Sequence, residues 1–175
     1  HADFFSGKDI LKRVYPDLLV GLSHLSPTTK KNLQLREGDR LDLSDSAISI
    51  LETPGHTNES LTYVLESNNS ESRITLFTGD TLLIGGTGRT DFQAGDSMSL
   101  YQSLNKILNF PDTTLIHPNH NYQKQVASTL GVEKVTNARL SLVVNQKEAE
   151  FITLMDSHTP PTPDLFDLAI PFNSL

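Results

Sequence analysis

The stretch FTGDTLLIGGTGRTDFQ, residues 77–93, runs from an apolar strand into a glycine-rich loop. The strand, predicted over residues 74–78, brings the carboxylate of Asp80 to its end, where that side chain either caps the next turn or serves as a ligand. The loop at residues 85–91 resembles a phosphate-binding loop, but it lacks the Lys-Ser/Thr ending and a helix directly behind it. The stretch therefore predicts a strand end with a carboxylate, and not a nucleotide site.

Two other predicted strands also end in polar turns. The strand that begins at Ala47 ends in TPGHT, residues 53–57, where Pro and Gly force a tight turn and His56 lies at its tip. The strand at residues 114–116 runs into HPNHNY, residues 117–122, which carries two more histidines. Outside a helix, histidines three residues apart need not face the same way, so we expect at most one of them to reach a shared site.

Taken singly, each turn has a plain explanation as a capped turn or an exposed histidine. Taken together with HADF at residues 1–4, they favour one pocket at one edge of a layered sheet. Imidazole and carboxylate groups are good ligands for iron or zinc. The chain has no cysteine, which excludes disulfides, zinc–thiolate sites and a cysteine nucleophile.

Composition limits the class of protein further. A chain of 175 residues predicts one domain, residues 1–175, and the fractions of 37% hydrophobic and 20% charged residues are ordinary for a globular fold. The net charge of −7 gives no electrostatic basis for binding nucleic acid or a membrane surface. No apolar run approaches the roughly 18 residues of a membrane span.

Helical periodicity predicts three helices, at residues 8–14, 97–108 and 146–157. Asp96 is positioned to cap the second of these helices. A short buried strand is predicted at residues 18–20, and the proline-rich tail after Pro160 is expected to lie along the surface. Strands precede most of the helices, which favours an α+β or layered αββα domain.

These motifs resemble the metallo-β-lactamase superfamily, whose pattern is His-x-His-x-Asp-His, a Gly-His turn, a Gly-Asp strand end and a late His. Residues 77–93 are most similar to the persulfide dioxygenases, because glyoxalase II hydrolases share the Gly-Asp but usually not Gly-Arg-Thr-Asp-Phe-Gln. Residues 117–122 resemble that family's Pro-Ala-His-Asp-Tyr, with Asn121 in place of the Asp. The resemblance covers essentially the whole chain and implies an αββα sandwich that is N-terminally incomplete here.

The resemblance implies one Fe(II) per chain, held by two histidines and a carboxylate. The Gly-His and Gly-Asp residues of the pattern match His56 and Asp80, which are thus the implied catalytic and metal-binding residues. The remaining family ligand falls two positions before His1, so His1 is the candidate for the third ligand in this chain.

Three residues fall at the positions of the superfamily's second metal site, which the resemblance implies is vestigial. Asp3 and His120 are present, but Phe4 occupies the position of a histidine and has no lone pair for a metal. We therefore expect Asp3 and His120 to orient other groups of the pocket by hydrogen bonding. A two-metal hydrolase, which needs a water held between paired ions, is disfavoured.

As the resemblance implies, the protein is an oxidoreductase that oxidises glutathione persulfide with O₂ to sulfite and glutathione. Arg89 and Tyr122 are candidates for holding the glutathione part, and for Arg89 a structural salt bridge with Asp91 or Asp96 is the alternative. Two other functions remain open: a thioester hydrolase of the glyoxalase II type, and a packed domain that binds no metal. We also expect an open sheet edge that favours a homo-oligomer, and an intracellular location in the bacterial cytoplasm or the mitochondrial matrix.

Overall fold

The computed structural model describes residues 5–28, 31–67, 73–120, 122 and 124–174. The chain divides into two compact units, one of residues 36–159 and the other of residues 1–35 together with 160–175. In chain order the elements are α1 (Lys8–Val14), β1 (Gly21–Ser23), β2 (Leu33–Leu35), β3 (Arg40–Leu43), β4 (Ser46–Glu52), β5 (Leu61–Ser67), β6 (Thr75–Gly79), α2 (Ser97–Leu108), β7 (Leu115–Pro118), β8 (Ser128–Thr129), α3 (Leu130–Thr136), α4 (Ala138–Val144), α5 (Glu148–Asp156) and α6 (Phe166–Ser174).

The sheet of the larger unit has the strand order β3-β4-β5-β6-β7-β8. Strand β5 is antiparallel to both β4 and β6, and β7 runs parallel to β6. The C-terminal ends of β4, β6 and β7 therefore lie at the same edge of the sheet. At this edge Glu52 pairs with Leu61, and Gly79 pairs with Pro118. The topology brings together the polar turns that follow these three strands.

A layer of helices packs on one face of this sheet. Inward side chains of the central strands, such as Val64, Leu76 and Ile116, form one buried cluster with apolar side chains of α2, α4 and α5. The stripe predicted on α2 is part of this cluster, which includes Leu100 and Leu104. Burial of this apolar surface stabilises the unit and supplies a rigid base for the edge that carries the polar turns.

The smaller unit contains the two-stranded parallel sheet β1–β2 and the helices α1 and α6. Phe5 and Phe172 meet edge to face with ring centroids 5.0 Å apart, and the backbone N–H of Ser6 donates to Oδ1 of Asn173 at 2.8 Å. None of the residues of α1 is buried, and Ile10 is 68% exposed. This unit has few of the fully buried side chains that define the larger one.

The sequence predictions are confirmed for α1 and α2, whose bounds agree with the predicted residues 8–14 and 97–108. The predicted cap is also confirmed, because Oδ1 of Asp96 accepts a hydrogen bond from the backbone N–H of Ser99 at 2.6 Å. The helix predicted at residues 146–157 is shorter, from Glu148 to Asp156.

One local prediction was wrong, and one helix was not predicted. Residues 18–20 are not in a strand, and the extended segment begins at Gly21. The tail after Pro160 includes the helix α6, which carries Pro171 inside it. Propensity alone disfavours a helix that contains proline, so contacts such as those of Phe172 and Asn173 must outweigh it. Within the described part of the chain, no helix combines the length and the apolar character that crossing a membrane requires.

Candidate metal centre

The turn that carries His56 is packed against the start of α2. Gly55 has a φ of +138°, and a Cβ added there would lie 2.4 Å from the backbone N and Cα of Leu100. The carbonyl of Gly55 accepts a hydrogen bond from the backbone N–H of Asp96 at 2.9 Å. Only glycine permits both this backbone conformation and this close approach. The turn is thus held in place before any ligand is considered.

The ring of His56 is held from one side by the glycine-rich loop. Its Nδ1 lies 2.8 Å from the carbonyl oxygen of Arg89. A carbonyl oxygen can only accept, so Nδ1 carries the hydrogen and Nε2 is the atom directed away from the loop. Gly88 lies against the ring, since a Cβ added there would be 2.8 Å from Nδ1 of His56. This arrangement orients Nε2 in the way that outer hydrogen bonds orient metal-binding histidines.

Nε2 of His56 is directed at the carboxylate of Asp80. Asp80 follows Gly79, whose φ is +55°. The backbone carbonyl of Asp80 accepts a hydrogen bond from the N–H of Gly88 at 2.7 Å. Nε2 of His56 lies 3.4 Å from Oδ2 of Asp80, and Nε2 of His120 lies 3.5 Å from the same oxygen. Two ligand atoms about 2.1 Å from one ion would be about 3.0 Å apart at a right angle and about 3.4 Å apart at the tetrahedral angle. The distance between Nε2 of His56 and Oδ2 of Asp80 is thus close to that of two ligand atoms on one ion, and His120 lies beside the same carboxylate.

A cluster of buried threonines ties together the strand ends that carry His56 and Asp80. The hydroxyl of Thr81 lies 3.2 Å from both the carbonyl and the hydroxyl of Thr53. The hydroxyl of Thr53 is also 3.0 Å from that of Thr62 on β5. All three side chains are buried, with exposures of 0% or 1%. Because these hydrogen bonds are shielded from water, they resist relative movement of the two strand ends.

The structure separates the two histidines His117 and His120, as the sequence predicted. His120 reaches Asp80, and its ring stacks on that of Tyr122, with centroids 5.3 Å apart and an angle of 5° between the rings. His117 instead lies within β7 and contacts the ring of Phe77, with centroids 5.6 Å apart. Tyr122 is 73% exposed, so the ring that stacks on His120 lies at the surface.

The side chain of Arg89 pairs with Asp91. Nε and Nη2 of Arg89 donate to the two carboxylate oxygens of Asp91, each at 2.6 Å, and its guanidinium carbon lies 3.8 Å from the ring centroid of Phe92. The hydrogen bond from Arg89 holds the pKa of Asp91 below its ordinary value of 3.8, although partial burial opposes the shift. Arg89 thus forms a structural salt bridge with Asp91, which was the alternative to its role in binding substrate. Asp96 caps α2 instead.

His1, Asp3 and Phe4 lie outside the described residues, so their predicted roles stay predictions. Among the residues that are described, no group of three or more His, Cys, Asp or Glu side chains meets the requirements of a complete metal site. The contacts of His56 and His120 with Asp80 are the part of the candidate centre that the structure describes.

Sequence reasoning missed several residues that support the centre. Gly88 was treated as part of a rejected phosphate loop and of the family motif, and its contact with His56, which its lack of a side chain permits, was not foreseen. Asn137 and Glu133 are buried, with exposures of 0% and 1%, and both hydrogen-bond to the same loop. In the sequence, the available signal was a Glu and an Asn spaced one helical turn apart. It did not show their role, because the loop residues that they bind lie about fifty positions away in the chain.

Residues 5–120 match the metallo-β-lactamase superfamily. Together with the sheet topology, this match shows that the chain belongs to that superfamily, whose members bind metal. The predicted α+β fold class and the family resemblance are confirmed.

Within the superfamily, the chain is similar to persulfide dioxygenases. It is 38% identical over 174 residues to the mitochondrial persulfide dioxygenase ETHE1 of Mus musculus, a match that covers 99% of this chain and 65% of that protein. It superposes on ETHE1 from Myxococcus xanthus with a TM-score of 0.85 and 35% identity, over 98% of this chain and 71% of that one. Glyoxylase B2 of Dictyostelium discoideum is 27% identical over 162 residues, which cover 81% of this chain and 53% of that protein. The chain thus spans 65% of the mouse relative's length.

Proposed function

We propose that this chain carries the iron centre of a persulfide dioxygenase, which oxidises glutathione persulfide with O₂ to sulfite and glutathione. The observation that carries the proposal is the approach of Nε2 of His56, whose Nδ1 is bonded to the carbonyl of Arg89, to Oδ2 of Asp80 at 3.4 Å. The higher identity to the mouse persulfide dioxygenase than to Glyoxylase B2 supports this chemistry. The net reaction consumes one O₂ and one water for each persulfide, and it releases sulfite, the thiol and two protons.

The donor set fits ferrous iron. Two imidazole nitrogens and a carboxylate, without any thiolate, form the facial set that non-haem iron oxygenases use and that leaves open positions for reactants. We assign His56 and Asp80 as ligands and His1 as the third, with one Fe(II) per chain. When bound, the ion supplies one coordination sphere in which the persulfide sulfur and O₂ meet and exchange electrons.

The residues of this chain position and stabilise what binds there. The hydrogen bond from Nδ1 of His56 to Arg89 keeps Nε2 directed at the ion, so no reorientation is needed on binding. Asp80 has a side chain that is 5% exposed, and its negative charge in this buried place favours a cation strongly. His120, at 3.5 Å from Asp80, orients that carboxylate. Holding two reactants side by side removes much of the entropic barrier to their reaction.

We propose that Arg89 and Tyr122 hold the glutathione part of the substrate. Arg89 already pairs with Asp91, so a substrate carboxylate would have to share or displace that partner. We expect Arg89→Ala to raise the KM for glutathione persulfide roughly tenfold with a smaller change in kcat, because the residue contacts a part of the substrate that does not react. Oxygen uptake at varied persulfide concentration measures both constants. Arg40→Ala, which removes an exposed arginine of β3, is the control. An unchanged KM in the Arg89 variant would leave only the structural role.

A thioester hydrolase of the glyoxalase II type is the second candidate. The observation that favours it is the position of Oδ2 of Asp80 between two histidine nitrogens, where a carboxylate could bridge two ions and help hold a water between them. Phe4 at the proposed second site counts against it.

Metal content and product analysis of the purified chain separate these functions. The chain is reconstituted with Fe(II) without oxygen, and we expect one iron per chain, O₂ uptake with glutathione persulfide, and no hydrolysis of a glutathione thioester. Two ions with thioester hydrolysis and no O₂ uptake would establish the hydrolase instead. A chain that binds no ion would establish a packed domain without catalysis.

The proposed compartment is the mitochondrial matrix or the bacterial cytoplasm, and the name of the mouse relative supports the first. We keep a homo-oligomer as part of the proposal. Cell fractionation tests the compartment, and a secreted protein would contradict it. Sedimentation of the purified chain tests the oligomeric state, and a strictly monomeric protein would contradict the homo-oligomer.

A further inference from the structure

We propose that Glu133, Asn137 and Arg139 act together as positioning residues for the candidate metal centre, by holding the loop that orients His56. The proposal deepens the proposed function and rests on it wherever metal binding is concerned. We call these three residues the positioning cluster. Residues 83–89, which overlap the glycine-rich loop described above, are called the glycine loop.

Asn137 is the central member of the positioning cluster. It is completely buried between α3 and α4, and its Nδ2 donates to the carbonyl oxygens of Leu83 and Gly86 at 3.2 and 3.0 Å. These two residues also pair with each other, since Leu83 N–H donates to the carbonyl of Gly86 at 2.9 Å. The amide of Asn137 therefore binds both sides of the narrow turn in the glycine loop. Its Oδ1 has a different task, because it caps α4 by accepting from Arg139 and Leu140 N–H.

Glu133 fixes the tip of the same turn. Its side chain is 1% exposed, and Oε2 accepts hydrogen bonds from the backbone N–H of Gly85 at 2.8 Å and from Nδ2 of Asn137 at 3.1 Å. Burying a carboxylate is costly unless it is well hydrogen-bonded. Hydrogen bonds to an ionised acceptor are about twice as strong as neutral ones, so this carboxylate holds the turn firmly.

Arg139 holds the next part of the loop. Its Nη1 donates to the carbonyl of Thr87 at 2.8 Å and lies 3.3 Å from the Thr87 hydroxyl, and that hydroxyl donates to the carbonyl of Gly88 at 3.2 Å. The positioning cluster thus contacts the loop at its turn and again one residue before Gly88.

The held part of the loop is directly joined to the groups that orient His56. Gly88 lies against the imidazole ring, and the carbonyl of Arg89 accepts the hydrogen bond from Nδ1. Gly88 N–H also binds the carbonyl of Asp80, so one short segment contacts both proposed ligands. A displacement of Thr87 would move Gly88 and Arg89 with it, since they follow it in the chain. The ring of His56 would then lose the partner that sets its tautomer and direction.

The substitution Asn137→Ser tests the proposal. The serine hydroxyl can still cap α4, but it cannot donate to both carbonyls of the loop. The control is Asn145→Ser at the other end of the same helix, where Nδ2 donates only locally, to the carbonyl and hydroxyl of Ser141. Two quantities are measured on the full chain: the ring ¹⁵N resonances of His56 without metal, and the affinity for Fe(II) alone.

We expect Asn137→Ser to shift the Nδ1 and Nε2 resonances of His56 and to weaken Fe(II) binding by about 10- to 100-fold, the range for partners that orient metal-binding histidines. Asn145→Ser should change neither. If Asn137→Ser lowers the melting temperature but leaves the resonances and the affinity as in wild type, the cluster is only structural and the proposal is wrong.

Two further substitutions keep the test decisive if Asn137→Ser does not fold. Glu133→Gln replaces the charged acceptor of Gly85 and Asn137 by a neutral amide oxygen, so it should shift the His56 resonances slightly and weaken Fe(II) binding severalfold. Arg139→Ala leaves the turn contacts intact but frees Thr87, so it should show a smaller shift and a severalfold loss of affinity. An Arg139→Ala variant identical to wild type in both measurements would overturn the proposal.

The two measurements also separate this inference from the proposed function. If the wild-type chain binds no Fe(II), the proposed function fails. The His56 resonances of the metal-free chain still decide, in that case, whether the positioning cluster orients the ring.

Discussion

The two histidines that flank Asp80 are held in different ways. His56 has its Nδ1 bonded to a backbone carbonyl, its ring against Gly88, and a side chain that is 14% exposed. His120 has a side chain that is 23% exposed, and its ring is stacked on Tyr122, which is itself 73% exposed. We call these the packed side and the open side of the centre.

The difference indicates that His56 and His120 have different roles beside the carboxylate of Asp80. Buried hydrogen bonds to backbone groups fix direction, because neither partner can be replaced by water at low cost. A stacked pair of rings at the surface tolerates movement and leaves access to the centre. The packed side is thus suited to hold an ion, and the open side is suited to admit a substrate.

Loss of the carboxylate that both sides share should have the largest effect. Asp80→Asn keeps the size of the side chain but removes the charge and one of the acceptor oxygens. Since loss of an outer partner costs about 10- to 100-fold in affinity, loss of this ligand should weaken Fe(II) binding by more than about 100-fold and abolish O₂ uptake. Metal titration measures the change. Asp42→Asn, at an exposed carboxylate of β3, is the control, and an Asp80→Asn variant that binds iron within tenfold of wild type would rule Asp80 out as a ligand.

A methyl group added at Gly88 should break the packed side specifically. The new Cβ would lie 2.4 Å from the carbonyl oxygen of Asp80 and 2.8 Å from Nδ1 of His56, so the backbone and the ring must move. Gly88→Ala should lower the free energy of unfolding by about 1–3 kcal/mol and also weaken metal binding.

Gly86→Ala is the matched control, since nothing lies within 4 Å of a Cβ added at Gly86. Denaturant unfolding and metal titration of both variants measure the effects. Equal behaviour of the two variants would show that the close approach of Gly88 to His56 does not matter.

Removal of the ring of Tyr122 should affect only the open side. Stacked aromatic pairs contribute about 0.5–1.5 kcal/mol beyond burial, so Tyr122→Leu should raise the KM for persulfide a few-fold and leave Fe(II) affinity unchanged. Tyr15→Leu, at another exposed tyrosine, is the control. A large loss of metal affinity in the Tyr122 variant would mean that the open side is part of the rigid frame.

The smallest effect should come from the pH dependence of the Arg89–Asp91 pair. In the folded state, the hydrogen bond from Arg89 lowers the pKa of Asp91 below its ordinary value of 3.8. The pair therefore stabilises the fold fully above pH 3.8, and this stabilisation is lost as the pH falls through the lowered pKa. For a pair this close to the surface we expect at most about 1 kcal/mol.

Melting temperatures of wild type and Asp91→Asn between pH 3 and 7 measure this contribution. The difference should shrink toward the acid end and be absent in an Arg89→Ala background. A difference that grows on acidification would reverse the sign of the linkage.

Local sequence features predicted much of the fold. The spacing of apolar residues in α2 and the cap at Asp96 depend on neighbours within one or two turns, and both were confirmed. The strand ends before His56 and Asp80 were predicted for the same reason. Helices α3 and α4 were not predicted, because their β-branched residues, and Gly131 in α3, have low helix propensity.

The sequence by itself determined the superfamily, the strand ends and the residue types from which a metal centre could be built. The family resemblance had selected His120 of the two late histidines, but only the tertiary structure decided how it reaches Asp80, because the parallel register of β6 and β7 sets which residue follows the strand at that edge. The tertiary structure also decided that the backbone carbonyl of Arg89 holds the ring of His56. Backbone groups are the same at every position, so no pattern of side chains can show which carbonyl a distant histidine will find.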